Sequence, residues 1–141
     1  MTAKEYLSQG YRLEQRIKLL KMDIEYWQDL MTSVSSPGFE EHFNSNRPTD
    51  APFVKTLFKV MEYQDQLNEK LELHIRLKKE MTEAIEKLEN QDEKLVLQYR
   101  YVRNFTWPRI ADTIGADEST VRRWHNKALA HFEIPKNPIV L

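Results

Sequence analysis

The chain has 141 residues, with 21 lysine and arginine residues against 22 aspartate and glutamate residues, which gives a formal net charge of −1. This length fits one domain, or one small domain attached to an extended element. The balanced charge excludes a strongly basic histone-like protein and an acidic tail. The absence of cysteine excludes disulfides, thiolate metal sites and cysteine nucleophiles. With only three glycines, a Gly-rich phosphate loop is not expected, and the composition favours an all-α fold.

Hydropathy along the chain gives no sign of a membrane protein. No apolar run approaches the roughly 20 residues that span a bilayer. Residues 1–9 are polar and lack the apolar core of a secretory signal. We therefore expect a cytoplasmic protein that has no membrane partner.

Residues 1–90 are predicted to form a long, coiled-coil-like antiparallel helical hairpin that serves oligomerisation or partner binding. From residue 3 to residue 31, apolar side chains recur at alternating spacings of three and four, which is typical of a helix packed lengthwise on another helix. A second helix is predicted over residues 53–88. Its pattern is less regular, because the polar residues Gln64 and His74 hold seam positions.

Three local features bear on this hairpin. Thr2 and Glu5 have the spacing of a capping box, which would begin the first helix. Gly10 interrupts the apolar series; it indicates either a close contact between helices or a tolerated defect, and the defect is favoured. Residues 33–52 are predicted to be the connecting loop, in which residues 38–43 form either one helical turn or a mobile segment.

Residues 91–141 are predicted to form a helix-turn-helix domain. A first helix is expected over residues 92–102, and its predicted buried residues are Leu95, Val96, Tyr99 and Val102. The segment contrasts in charge with the rest of the chain. It has eight basic and six acidic residues, whereas residues 1–90 have 13 and 16.

The next two helices are defined by their end residues. Thr106 is a good N-cap, and Pro108 fits the first helical turn. Gly115 suits a left-handed C-terminal end, and Asp117 is expected to cap the third helix. The predicted inner faces consist of Trp107, Ile110, Ala111 and Ile114 on the second helix, and of Val121, Trp124, Ala128 and Phe132 on the third.

The outer face of the third helix has the side chains that a DNA recognition helix needs. Arginine can bind guanine, asparagine can bind adenine, and serine, threonine and lysine can bind phosphates. The predicted DNA-binding residues are Arg109 on the second helix and Ser119, Thr120, Arg122, Arg123, Asn126 and Lys127 on the third. The alternative for this charged face is ordinary solvation. Trp107 and Trp124 are expected in the core, and His125 and His131 at solvated positions.

Three parts of the C-terminal third resemble region four of sigma factors: residues 88–101, residues 106–111 with 114–115, and residues 119–123 with 127–129. The full layout, including residues 2–7, is similar to the ArpU- and RinA-like regulators of Gram-positive phages and prophages. This resemblance implies a sequence-specific transcription regulator of phage or prophage origin that activates late genes in a bacterial host. It also implies double-stranded DNA and the host RNA polymerase as partners. A dimer is expected, because one small module buries little surface on DNA.

Two other functions remain open. One is a DNA-packaging subunit like a small terminase, which would form a ring. The other is an adaptor that binds polymerase and never DNA. The four histidines and the many carboxylates show no metal-binding or acid–base spacing. We therefore expect no enzyme activity, no catalytic residue, no metal and no cofactor.

Overall fold

A computed structural model describes residues 1–34 and 51–141, apart from the side chains of residues 34 and 51–53. The described residues form helices and no strand, which confirms the all-α class for this part of the chain. The elements are α1 (Ala3–Ser8), α2 (Leu13–Val34), α3 (Ala51–Glu86), α4 (Gln91–Leu97), a π-helical turn (Gln98–Val102), α5 (Trp107–Ile114) and α6 (Glu118–His131). The helical turn or mobile loop predicted at residues 38–43 lies outside the described residues.

The chain divides into two compact units. The first contains residues 1–16 and 73–141, and the second contains residues 17–72. This grouping differs from the division predicted at residue 90. It differs because the first 16 residues and the end of α3 belong with the C-terminal helices.

The N-terminal helix begins where the capping box predicts but ends early. Thr2 Oγ1 accepts a hydrogen bond from Glu5 N at 3.2 Å, which confirms the predicted cap. The prediction of one uninterrupted helix from residue 3 to residue 31 is wrong, because α1 ends at Ser8 and α2 begins at Leu13. The intervening turn requires a positive φ of 52° at Arg12.

Gly10 lies in this turn, where the polypeptide chains approach too closely for a side chain. A Cβ at Gly10 would collide with the carbonyl oxygen of Tyr101 and would lie 2.7 Å from Met81 Cε. Asn104 also links the two segments, since its Nδ2 donates to Gly10 O at 3.2 Å and its Oδ1 accepts from Arg12 N at 3.1 Å. The favoured interpretation of Gly10 as a tolerated defect is therefore wrong, and the close contact is present.

The helix predicted over residues 92–102 changes type partway along. Its α-helical part is α4, and the π-helical turn follows, with Arg103 N bonded to Gln98 O at 3.0 Å. A π turn adds a residue to one helical turn and so shifts the face that follows it. Tyr101 is accordingly buried while Val102 is only half-buried. Leu95 was predicted to be buried but is exposed, because the inner face of α4 is formed by its neighbours; the buried residues of α4 are Glu93, Val96 and Leu97.

The C-terminal segment packs against α1 and α3 through its backbone. Ile139 N donates to Glu80 Oε1 at 3.1 Å, and Ile139 O accepts from Gln9 Nε2 at 3.0 Å. Leu141 N donates to Gln9 Oε1 at 2.8 Å. Tyr6 completes the cluster, because its hydroxyl donates to Glu80 Oε1 at 2.7 Å. Burial is the main cause that raises the pKa of Tyr6, and this contact with Glu80 raises it further.

Among its described residues, the second unit has few buried side chains. Ile17, Leu20 and Leu67 are buried at predicted seam positions. Trp27 packs edge-on against Tyr63 with ring centroids 5.5 Å apart. Among the residues that the structure describes, no helix combines the length and the apolar composition of a membrane span.

Candidate nucleic-acid interface

Helix α5 begins and ends at the residues that its sequence predicts. Thr106 Oγ1 accepts a hydrogen bond from Arg109 N at 3.4 Å, and Pro108 lies in the first turn, where its missing N–H is harmless. Gly115 ends the helix in the left-handed conformation, with φ of 78° and ψ of 40°. Ala111 O accepts hydrogen bonds from Gly115 N at 2.8 Å and from Ala116 N at 3.1 Å. These bonds turn the chain sharply toward α6.

Helix α6 begins after Asp117, but not through the side-chain cap that was predicted. Asp117 has the extended backbone of an N-cap, and its carbonyl accepts from Val121 N at 3.0 Å. Its carboxylate makes no capping hydrogen bond. The start of α6 is therefore defined by the turn after Gly115 and by the burial of Val121.

The apolar faces of α5 and α6 pack against α4. Val96, Ile110, Ala111 and Val121 form the buried cluster at their centre. Ala128 and Phe132 extend the buried face of α6. The half-buried residues packed around the cluster include Trp107, Ile114 and Trp124, as predicted for the inner faces. Packing on this side determines which side chains of α6 remain outside.

The predicted DNA-binding residues of α6 lie on its accessible side. The exposed members are Ser119, Arg122, Arg123, Asn126 and Lys127, and Thr120 is half-buried. Arg109 on α5 is exposed as well, and its guanidinium lies 3.7 Å from the centroid of the Phe105 ring. The structure therefore brings six of the seven predicted residues together on one helix, with Arg109 on the preceding one.

The two arginines of α6 are only weakly constrained by the protein itself. Arg122 pairs with Glu118, one turn earlier, at 3.1 Å, and both side chains are about half exposed. An exposed pair of this kind contributes about 0.3–0.5 kcal/mol, which does not prevent the guanidinium from binding another anion. Within the described residues, Arg123 has neither an ion pair nor a hydrogen-bond partner.

His125 is buried, so the expectation of a solvated position is wrong. Its Nε2 lies 2.6 Å from the hydroxyl of Tyr101, and its ring contacts Trp107 edge-on. The signal in the sequence was the spacing of residues 121, 125, 128 and 132, which places His125 on the inner face of α6. Burial lowers the pKa of His125; the hydrogen bond to Asn126 opposes this shift, and three nearby cations reinforce it. These cations are Arg100, Lys4 and Arg122.

His131 ends α6 beside a buried carboxylate. Its Nδ1 lies 3.0 Å from both carboxylate oxygens of Glu93, although the imidazole itself remains exposed. Glu93, at the start of α4, is 4% exposed, so its carboxylate is largely shielded from water and contacts His131. In the described part of the chain, no group of three or more histidine and carboxylate side chains could hold a metal ion.

A groove of about 540 Å³ runs beside α6. It was not predicted, because its residues come from two segments, 4–11 and 100–126, which are distant in the sequence. The lining contains Lys4, Ser8, Tyr11, Arg100, Tyr101, Asn104, Trp107, Arg122, His125 and Asn126, and no carboxylate. Trp107 forms part of the wall, with the guanidinium groups of Arg100 and Arg122 4.4 Å and 5.0 Å from its ring centroids.

Comparison with known proteins identifies one family. The family model described as "Protein of unknown function (DUF1492)" matches residues 47–133, which is more than half of the chain and includes α3 to α6. No curated protein and no solved structure matches the chain.

Proposed function

The chain belongs to the DUF1492 family, and we propose that its last helices form a helix-turn-helix that binds double-stranded DNA in a transcription regulator of phage or prophage origin. The observation that carries this proposal is the two-sided character of α6. One side is buried against α4 and α5, and the other exposes a continuous row of arginine, asparagine, lysine and hydroxyl side chains. A helix that reads DNA needs both features.

The accessible row matches the chemistry of the major groove. Arg122 and Arg123 would bind the two acceptors of guanine, and Asn126 would bind adenine. Ser119, near the N-terminus of α6, would contact phosphate together with Lys127. Because recognition helices usually present their first turns to the bases, we assign base reading chiefly to Arg122 and Arg123, and contact with the next base to Asn126.

The long helices supply a second part of the proposal, an antiparallel hairpin that dimerises. Glu14 pairs with Lys78 at 3.1 Å, and Trp27, later in α2, packs on Tyr63, earlier in α3. This order of partners supports opposite helix directions. A dimer would place two copies of α6 on half-sites about one helical turn apart and would roughly double the buried surface on DNA.

The biological role that we propose is activation of late genes. It rests on the resemblance of residues 88–101, 106–111 with 114–115, and 119–123 with 127–129 to sigma-factor region four and on the overall likeness to ArpU- and RinA-like regulators. In this role the helical hairpin or the sigma-like module would contact the host RNA polymerase. Dependence of in vitro transcription on the protein, from a promoter next to its binding site, tests this role.

DNA binding is tested by selecting bound fragments from random and phage DNA with the purified protein, followed by titration of the selected duplex. Arg123→Ala is the informative variant, because this side chain is exposed and has no ion pair or hydrogen bond to any residue that the structure describes. We expect it to weaken specific binding by about 1–3 kcal/mol. Arg76→Ala is the matched control, since it removes an exposed arginine of α3, and it should leave the affinity unchanged.

The same experiment can contradict the proposal in two ways. Failure of the protein to enrich any fragment removes the DNA-binding function and favours a polymerase adaptor. Equal affinities of Arg123→Ala and the wild type for an enriched fragment remove α6 as the reading helix. Mass measurement by light scattering separates regulation from packaging, because a ring of many subunits would indicate a terminase-like role and a dimer would indicate a regulator.

A further inference from the structure

We propose that the groove beside α6 binds a phosphate of the DNA backbone, so that α1 and the π-helical turn contribute to the interface together with α6. This inference rests on the proposed DNA-binding function and adds a contact that neither the family match nor the sequence pattern supplies. Its basis is the juxtaposition of Lys4, Arg100 and Arg122 around one open groove.

The charge of the groove is the first argument. Among the described residues, three basic side chains line it and no carboxylate does. Within the described residues, Lys4 has no ion-pair partner, and the only acidic partner of Arg122 is the exposed Glu118. Arg100 donates one N–H to Phe105 O at 3.0 Å and otherwise faces the ring of Trp107. Like charges gathered without a counter-charge are unfavourable, so the groove favours an anion.

The hydrogen-bonding groups give the anion its chemical class. Lysine and arginine only donate. The hydroxyl oxygen of Tyr11 accepts from Arg12 Nε at 3.1 Å, which leaves its O–H free to donate. Phosphate presents acceptor oxygens in several directions and suits such a set of donors. A carboxylate would satisfy fewer of them.

The position of the groove identifies the source of the phosphate. Arg122 and Asn126 belong both to the accessible row of α6 and to the groove wall. When a helix lies in the major groove, the residues beside it face the flanking sugar–phosphate backbone. A phosphate next to the bases contacted by α6 would therefore lie against Lys4 and Tyr11. Binding of a free nucleotide in the groove would not involve the neighbouring accessible row of α6.

The test is a salt titration with a fluorescently labelled, mixed-sequence duplex of about three helical turns. Log affinity falls as log salt concentration rises, and loss of one phosphate contact makes this negative slope shallower by about 0.9. We expect this change for Lys4→Ala, together with an equal loss of affinity for selected and unselected sequences. Tyr11→Phe should weaken binding less, because it removes one hydroxyl donor. Lys79→Ala, which removes an exposed lysine of α3, should match the wild type.

The outcomes separate this inference from the proposed function. If Arg123→Ala weakens binding while Lys4→Ala changes neither affinity nor slope, α6 reads DNA and the groove does not hold a phosphate. A lower affinity of Lys4→Ala with an unchanged slope also overturns the inference, because Lys4 would then act through the fold; thermal unfolding of the variant would show that change. Absence of duplex binding by the wild type overturns both.

Discussion

The two compact units bury their apolar side chains to very different extents. In the unit formed by residues 1–16 and 73–141, nine large side chains are almost fully buried, among them Leu97, Ile110 and Val121. Among the described side chains of residues 17–72, none reaches that degree of burial. Since apolar burial is the main favourable contribution to folding, the first unit has its own core, whereas the described residues of the second gain much less from burial.

The exposed apolar residues of the second unit follow helical stripes. On α2 they recur at spacings of three and four, and on α3 they do the same away from the predicted seam. The members are Leu19, Met22, Tyr26 and Leu30 on α2, and Val54, Phe58 and Met61 on α3. A stripe of this kind is typical of a helix face that packs on another chain. The contrast between the units is therefore one between a buried core and an exposed apolar face.

The largest effect that tests this contrast is expected from one truncation made in both units. Leu97→Ala should lower the free energy of unfolding by about 2–5 kcal/mol, because it removes a fully buried side chain. Leu19→Ala, at a side chain 57% exposed, should cost less than about 0.5 kcal/mol in the monomer. Urea unfolding at low and high protein concentration measures both. A large cost of Leu19→Ala at low concentration would contradict the difference between the units.

The two glycines of the first unit allow a smaller and sharper test. Gly10→Asn should destabilise the protein by about 1–3 kcal/mol, because its side chain would overlap the Tyr101 carbonyl and Met81. Gly115→Asn should cost less than about 1 kcal/mol, since a Cβ there meets no atom within 4 Å and asparagine tolerates the left-handed conformation. Thermal unfolding compares the two variants. Equal losses of stability in the two variants would mean that the neighbouring segments at Gly10 can move apart without cost.

The predictability of these features follows the range of the interactions that produce them. The caps at Thr2 and Thr106 and the end of α5 at Gly115 were predicted, because each depends on residues within one helical turn. The accessible side of α6 followed from its apolar spacing. The role of Gly10 was missed because it depends on Tyr101, which is distant in the sequence.

The π-helical turn and the groove were likewise not predicted from the sequence. A π turn has no strong sequence signature, and it rotated Tyr101 into the core, where its hydroxyl meets His125. Burial of His125 could have been found from its spacing with Val121 and Ala128. The groove could not, because Lys4 and Arg122 are 118 positions apart and only the packing of α1 with the C-terminal helices brings them together.

The proposed dimer gives a test on the apolar stripe itself. Met22→Glu places a charge on the exposed stripe of α2 and should raise the dimer dissociation constant at least about tenfold, which corresponds to about 1.4 kcal/mol. Gln28→Glu is the control, because it adds the same charge to an exposed position of α2 outside the stripe. Sedimentation velocity over a range of concentrations measures the change. If both variants dissociate equally, charge alone is responsible and the stripe is not the interface.

The smallest expected effect is a pH dependence that arises in the first unit. The pKa of His125 is lowered in the folded protein, chiefly by burial and also by the charges of Arg100, Lys4 and Arg122. The unfolded chain therefore binds a proton more readily than the folded one between that lowered pKa and about 6.5. Stability should be full above about pH 6.5 and should fall as the pH decreases toward the folded pKa.

His125→Gln removes the titrating group while keeping a polar side chain opposite the hydroxyl of Tyr101. We expect the variant to be less stable than the wild type at neutral pH, because the buried contact is altered, but to lose less stability on acidification. Unfolding curves at neutral and mildly acidic pH give the dependence of stability on pH for each protein. The difference between the two pH dependences isolates His125 from the carboxylates that titrate in both proteins. Parallel slopes would show that protonation of His125 costs the fold nothing. The groove beside it could then hold a protonated His125 next to its cations without loss of stability.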